Sequence, residues 1–356
     1  MTGERVVISP ELGTGGVGDY TRRLLENLPR LEELRLIVPK TGNRPVSSFE
    51  RYPVEETDGT ARDLCHRLPA RGTVLVQYSA YGFDRYGYPR WLIESLIEWK
   101  KHPHRSLAIM FHEIWTFWPV WNKNYALQWL HRRALGRLLP VTDVLFTSTA
   151  SQAEHLRALG PRCAVQVLPV GSNIRRVRSA DEDKEIGFAV LFGLQHSRLH
   201  ALRKMRSELK SLAALGRIRK IVTAGAGRTR KEDDEEIALL TELELVEGFD
   251  QRGPLPEEKI SELFATCEFA LSAQDELSIT KSGTFMAYAA HGLNIISSYA
   301  DPLKPSPLSL LISPAELLTG ITQTELESRA ENLRQWQERT ADWSNIAAQI
   351  ARALEL

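Results

Sequence analysis

Short β-branched runs alternate with longer amphipathic stretches through this chain, and the alternation happens twice. Residues 6–9, 34–38, 73–78, 107–111, 144–148 and 164–169 read as buried strands, while 18–28, 88–100, 125–139 and 150–159 carry helical spacing. Strands apolar on both faces need cover on both. A parallel sheet between two helix layers supplies it. The pattern stops near Ser172, crosses a charged segment at 175–186 that reads as a linker, and resumes. Strands are then predicted at 187–192, 220–224, 243–247, 268–272 and 293–297. Helices are predicted at 200–215, 231–240, 256–266 and 284–291, and from 324 to the last residue. A chain of 356 residues is long for one core. The expectation is therefore an α/β protein with two Rossmann-like domains.

Composition narrows the function classes. Lys plus Arg and Asp plus Glu balance at 45 each, so charge gives no global reason to expect nucleic acid. Cys65, Cys163 and Cys267 are few, odd in number and widely spaced, which suggests neither a disulfide framework nor a zinc site and fits a reducing cytoplasm. No basic segment leads into an apolar leader-like run, and no apolar run is long enough for a membrane span. Peripheral membrane contact stays open. The basic stretch around Trp129, His131, Arg132, Arg133 and Arg137 suits an anionic surface, and a solvated face equally.

Two glycine-centred segments stand where a strand gives way to a helix. Gly13-Thr14-Gly15-Gly16-Val17-Gly18-Asp19-Tyr20 follows Val6-Val7-Ile8, and Lys281-Ser282-Gly283-Thr284 precedes an apolar helix-like stretch ending at His291-Gly292. Each points backbone N–H groups and a helix dipole at a place where an anion can sit. A single ligand held between the two loops would explain the pairing. Glycines allow close approach to the backbone in the first. The second adds two hydroxyls and the Lys281 ammonium, although a helix cap by Ser282 uses the same orphan donors. Asp19 suits the first turn of its helix whatever else it does.

Other candidates cluster at strand ends. Phe111-His112-Glu113 closes the run 107–111, and residues at the carboxyl end of a parallel strand border a ligand crevice. Glu113 suits a base or a partner for His112. Arg198, Arg203 and Lys204 follow the strand that ends at Phe192-Gly193. Six of the eight tryptophans fall between Trp91 and Trp129, and Trp115, Trp118 and Trp121 sit in a Pro-containing loop just after His112. Aromatic faces there suit a sugar or lipid, or simply a core. Asp181-Glu182-Asp183 has the form of a metal-diphosphate motif, but no apolar strand leads into it, so no metal site is assigned.

With these pieces placed, nearly the whole chain resembles the GT-B glycosyltransferases, in particular the bacterial family 4-like group. The resemblance rests on Gly15-Gly16-Val17-Gly18-Asp19-Tyr20, Phe111-His112-Glu113, Leu168-Pro169-Val170-Gly171, Phe192-Gly193, Thr223-Ala224-Gly225-Ala226-Gly227, the stretch 249–256 leading to Leu263, and Trp343-Ser344-Asn345-Ile346-Ala347. It implies two Rossmann-like domains facing each other across a cleft. Residues 1–174 are the acceptor side, 175–186 the linker, 187–323 the nucleotide-sugar domain, and 324–356 helices that cross back to the first domain.

The resemblance also implies an activity: transfer of a sugar from a nucleoside-diphosphate (NDP) sugar to a hydroxyl of a glycan, glycolipid or small molecule. Transfer would retain the anomeric configuration, need no metal and use no tightly bound cofactor, as in bacterial polysaccharide biosynthesis. His112, Glu113, Arg198 and Lys204 are the expected catalytic groups, Arg198 or Lys204 stabilising the diphosphate leaving group and His112 meeting the donor sugar. Gly15, Gly16, Gly193, Glu276, Lys281, Ser282, Gly283 and Thr284 are expected to hold the donor. Asp19, Tyr20, Trp115 and Trp118 are expected on the acceptor, sugar-bearing or lipid-linked. The chain departs from the family at one place. Aligned on Gly292, two glutamate positions carry Ile279 and Ala287, with Asp275 and Glu276 just upstream. That departure keeps two alternatives: a catalytically impaired GT-B binding or scaffold protein, and a GT-B sugar-nucleotide epimerase.

Overall fold

The computed structural model describes residues 3–13, 15–29, 33–40, 48–49, 51–115, 121–122, 125–177, 184–227 and 229–355. Trp118, the rest of 116–120 and Asp181-Glu182-Asp183 lie outside them. The chain divides into two compact units: Met1–Val170 with Trp343–Leu356, and Gly171–Asp342.

The first unit runs β1 (Glu4–Ile8), α1 (Gly15–Asn27), β2 (Leu34–Pro39), β3 (Ser48–Phe49), β4 (Tyr52–Thr57), α2 (Ala61–Arg67), β5 (Gly72–Tyr78), α3 (Ala80–Phe83), α4 (Arg90–Trp99), β6 (Arg105–Phe111), α5 (Tyr125–Leu138), β7 (Val144–Thr147), α6 (Ala150–Arg157) and β8 (Val165–Val167). Its sheet has the order β3-β4-β2-β1-β5-β6-β7-β8, parallel except where β3 meets β4. Strand order reverses between β1 and β5, so the loops after these strands mark a topological switch point. The central strands are buried on both faces, which explains their unbroken apolar runs: Val6, Ile8, Val74, Val76, Leu107 and Ile109 are all fully buried.

The second unit runs β9 (Glu185–Phe192), α7 (Gln195–Lys204), α8 (Arg206–Ala214), β10 (Lys220–Ala224), α9 (Arg230–Glu242), β11 (Phe249–Gln251), α10 (Glu257–Thr266), β12 (Cys267–Ser272), α11 (Gly283–Ala290), β13 (Asn294–Ser297), α12 (Pro314–Thr319) and α13 (Gln323–Ala341). Its sheet, β11-β10-β9-β12-β13, is parallel throughout and reverses between β9 and β12. Helix α14 (Trp343–Leu354) belongs with the first unit. It buries Ile346, Ala347, Ile350 and Leu354, its Trp343 ring meets Tyr20 edge-on at 5.0 Å, and the Leu354 carbonyl accepts from Arg5 Nε at 3.2 Å.

Several expectations need correction. Residues 243–247 form no strand: Leu243 caps α9, Glu244 takes φ 52°, and pairing with β10 begins only at Phe249. The helix expected over 200–215 starts earlier and breaks at Met205, whose φ of −112° and ψ of 21° leave the helical region. Strand β4 was not expected because Glu55 and Glu56 interrupt the apolar pattern, and helix α2 because it buries only Leu64; Glu55 pairs with Arg35 and Arg67. The return to the first unit begins at Trp343 rather than at 324. No helix among the described residues is long and apolar enough to cross a membrane.

Ile109 lies fully buried in β6, between Val76 of β5 and Leu145 of β7. Truncating it leaves a cavity in a two-sided core. Ile109→Ala is expected to cost about 2–5 kcal/mol in urea unfolding of the full chain. A loss below about 1 kcal/mol would contradict a packed centre there.

Candidate functional site

The N-terminus of helix α11 is the second unit's candidate seat for an anion. Ser282 is its N-cap, with Oγ accepting from the Phe285 amide at 3.2 Å. That bond satisfies one orphan donor, and the amides of Gly283 and Thr284 have no acceptor among the described residues. Lys281 stands exposed just before the cap, and no carboxylate among the described residues pairs with it. The helix is otherwise apolar and buried: Phe285, Met286, Ala287, Tyr288 and Ala289 are each at most 1% exposed. Its dipole is fixed in the fold, its N-terminus unscreened by side-chain anions of its own first turn.

Two glycines bring the sheet edge close to this helix end. Gly193, after β9, has φ 126°, and a Cβ there would stand 3.2 Å from Thr284 Oγ1. Gly225, after β10, has φ 121°, and a Cβ there would run into the Gly193 carbonyl. Gly283 faces Asn173, 3.3 Å from where its Cβ would be. At Gly225 only a residue without a side chain fits, and the positive φ of Gly193 favours glycine there too, while Gly283 is merely close-packed against Asn173. Gly193, Ser282, Gly283 and Thr284 are thus neighbours in the fold. Gly225 and Asn173 join them, and neither was assigned to the site from sequence.

Arg198 corrects the sequence reading. Rather than standing free, it is 4% exposed and bound to the fully buried Glu236, Nε to Oε1 and Nη2 to Oε2 at 2.8 Å each. Its Nη1 donates to the Gly193 carbonyl at 2.6 Å. The side chain therefore braces the glycine turn and neutralises a buried carboxylate. Lys204 ends α7, exposed, with its Nζ 5.4 Å from the Tyr299 ring centroid. Glu276 is also exposed and pairs with Lys304 at 2.9 Å. Asp275 accepts from Ser278 Oγ at 2.6 Å, and Ile279 and Ala287 are buried.

The first glycine loop behaves differently. The carboxylate of Glu11 lies against Gly15, which takes φ 69°, and accepts the Gly18 amide at 3.3 Å. An anion of the chain itself thus stands at the first turn of α1, where Gly15 and Gly16 were expected to meet the donor. Asp19 is half-buried and 3.9 Å from Arg22. Tyr20 is 4% exposed, its hydroxyl without a partner among the described residues and its pKa driven upward by burial.

Beside Tyr20 stands His112, its ring edge-on at 4.6 Å. His112 Nε2 lies 2.7 Å from Gln77 Oε1, and Glu113, exposed, accepts from Ser79 Oγ at 3.1 Å. Desolvation lowers the His112 pKa to about 3, so the ring is neutral. Gln77 and Ser79 were missed from sequence, although a glutamine inside the apolar run Thr73-Val74-Leu75-Val76-Gln77-Tyr78 is itself a signal: a buried amide needs a partner. Trp115 is another correction. It is 6% exposed, walled by His131 and His155, with Arg132 over its ring at 5.3 Å, so it is a core residue. No group of three metal-ligating side chains occurs among the described residues.

No family model matches the sequence, and no curated protein does. Solved structures match across almost its full length. HepE from Anabaena, determined with UDP and glucose, aligns with TM-score 0.64 at 12% identity over 99% of both chains. Sucrose-phosphate synthase from Thermosynechococcus elongatus aligns with 0.65 at 11% identity over 98% of both. The chain has the GT-B fold. WaaG, a glycosyltransferase involved in lipopolysaccharide biosynthesis, aligns with 0.61 at 15% identity over 98% of this chain and 99% of its own. The alternation of strands and helices in the two units is thus the alternation of a GT-B protein, and the loops after β1, β5, β9 and β12 are its switch-point loops.

Two stability predictions follow from this geometry. Glu236→Leu leaves the Arg198 guanidinium buried without its carboxylate and is expected to cost about 3–5 kcal/mol, with Arg198→Met/Glu236→Leu recovering much of the loss. A single variant as stable as the parent in denaturant unfolding would refute the pairing. The second concerns acid. Burial lowers the pKa of His112 to about 3 and those of His131 and His291 to about 4. Unfolded histidines titrate near about 6.5, so below that pH the unfolded chain binds protons that the folded chain refuses. Stability from these rings is complete above about pH 6.5 and declines as pH falls towards about 4. A melting temperature that stays flat from about pH 7 to about pH 4 would contradict it.

Proposed function

We propose that this protein is a glycosyltransferase that moves a sugar from an NDP-sugar to a hydroxyl acceptor, with retention and without a metal. The N-terminus of α11 carries the reading. The amides of Gly283 and Thr284 are unpaired among the described residues, the Thr284 hydroxyl stands beside the glycine turn at 193, which in turn meets Gly225, and Lys281 is exposed two residues before Gly283. A diphosphate seated there gains charge as the glycosidic bond breaks, and preorganised donors stabilise that charge without reorganising. Lys281 and the helix dipole take the part proposed from sequence for Arg198, which Glu236 already holds. The UDP bound by HepE gives the fold a precedent for such a ligand. His112, neutral and fixed, suits a sugar hydroxyl, and Glu113 suits a proton acceptor.

Peripheral membrane contact belongs to the same proposal. Helix α5 exposes Trp129, Leu130, Arg132, Arg133 and Arg137, contains no acidic residue, and borders a cavity of about 520 Å³ with Ala158 and Leu159. Such a face suits a lipid-linked acceptor at an anionic surface. A second reading, an NDP-sugar-binding protein without turnover, draws on Ile279 and Ala287 standing where the family carries glutamates.

UDP or a UDP-sugar bound only by the folded protein raises its melting temperature. Lys281→Ala is expected to weaken UDP binding by about tenfold or more, the scale of a hydrogen bond to a charged group at about 1.5–3 kcal/mol. Absence of binding by every NDP and NDP-sugar tested in calorimetry would sink the proposal. Tight binding without transfer to any acceptor would favour the non-catalytic reading.

A further inference from the structure

Two polar side chains stand at the end of β5, Gln77 inside the strand and Ser79 just after it, and each meets the segment that follows β6. Gln77 is opposite Met110 and Tyr78 opposite Phe111, so His112 begins one residue past the paired register. Its amide donates to the Tyr78 carbonyl at 2.9 Å, and its own carbonyl accepts from Gln152 Nε2 at 3.2 Å. The ring lies edge-on to Tyr20 and touches Gln77 Oε1 through Nε2. Backbone, ring and one ring nitrogen each have a partner.

We propose that Gln77 is a positioning residue that fixes the tautomer of His112: the proton sits on Nε2, donated to the Gln77 side-chain oxygen, and Nδ1 keeps a lone pair for a ligand hydroxyl. An amide oxygen only accepts, so the nitrogen facing it carries the hydrogen, and a neutral imidazole has one N–H. The remaining nitrogen accepts from a hydroxyl and disfavours phosphate or carbonyl oxygens, which bring lone pairs of their own. The assignment of a sugar hydroxyl rests on the function proposed above; the tautomer does not. Desolvation keeps the ring neutral throughout the physiological range. Ionisable groups beside it among the described residues include Tyr20, from α1, and the adjacent Glu113, which Ser79 holds.

The buried Gln77 Nε2 has no partner among the described residues. Turning the amide over would direct that donor at the ring, leave the oxygen unpaired instead and move the ring proton to Nδ1. The two arrangements exclude each other and differ spectroscopically.

Long-range ¹H–¹⁵N spectra of the full-length labelled protein decide between them. Signals of the ring are assigned by their loss in His112→Asn, or by their displacement in Tyr20→Phe should the first variant not fold. The expected result is a protonated Nε2 and an unprotonated Nδ1, unchanged from about pH 6 to about pH 8. A proton on Nδ1, or averaged shifts on both nitrogens, overturns the proposal. Gln77→Glu sets a carboxylate against Nε2 and is expected to raise the pH at which the ring titrates by roughly 1–3 pH units. A titration unchanged by that substitution also overturns it. Failure to bind UDP and UDP-glucose would remove the sugar reading while the ring spectrum still decides the tautomer.

Discussion

Backbone meets backbone where β9 and β10 end. Gly225 comes so near the Gly193 carbonyl that it tolerates no side chain, Gly193 itself takes a φ of 126° that strains any other residue, and Thr284 packs beside it. This contact brings the start of α11 to the carboxyl edge of the sheet, at the reversal of strand order between β9 and β12. The Arg198–Glu236 pair is its support: the guanidinium holds the Gly193 carbonyl from one side while the buried carboxylate holds the guanidinium. The guanidinium charge is thereby built into the scaffold. Positive potential at the surface comes instead from the helix dipole and Lys281.

The two units use one topological idea for different chemistry. In the second, the helix end after the glycines keeps its amides open. In the first, Glu11 lies across the glycine turn and takes the Gly18 amide, so the corresponding helix end already has an anion. What remains at that edge is a neutral imidazole against Tyr20 and Gln77, with Trp343 also against Tyr20. A neutral imidazole of that kind suits uncharged polar groups, and a helix N-terminus with open amides suits charged ones.

Much of the fold was legible in the sequence because a two-sided parallel sheet writes itself as unbroken apolar strands, and β1, β5, β6, β9, β10, β12 and β13 are mostly such runs. The exceptions have local causes. Strand β4 carries paired glutamates, β11 is only three residues long, and Met205 breaks α7 from α8 without a proline or glycine to announce it. Motifs at strand ends were legible as positions, since Gly193 and His112 directly follow β9 and β6 and Ser282 opens α11. Partners far apart in the chain were out of reach. Nothing local to Arg198 reveals Glu236, 38 residues on, and nothing in Gly15-Gly16 reveals that Glu11 folds back over it. Trp115 looked like a loop aromatic because its packing partners, His131 and His155, come from later helices.

The central claim is that the end of α11 is the seat for a nucleotide's phosphates and that the end of α1 is not. Backbone amide spectra of the protein titrated with UDP test it most directly. The account predicts large shifts at Gly283 and Thr284, with Gly193 and Gly225 following, and little change at Gly15, Gly16 and Gly18. Shifts concentrated in the α1 turn, with Gly283 and Thr284 unmoved at saturation, would contradict it.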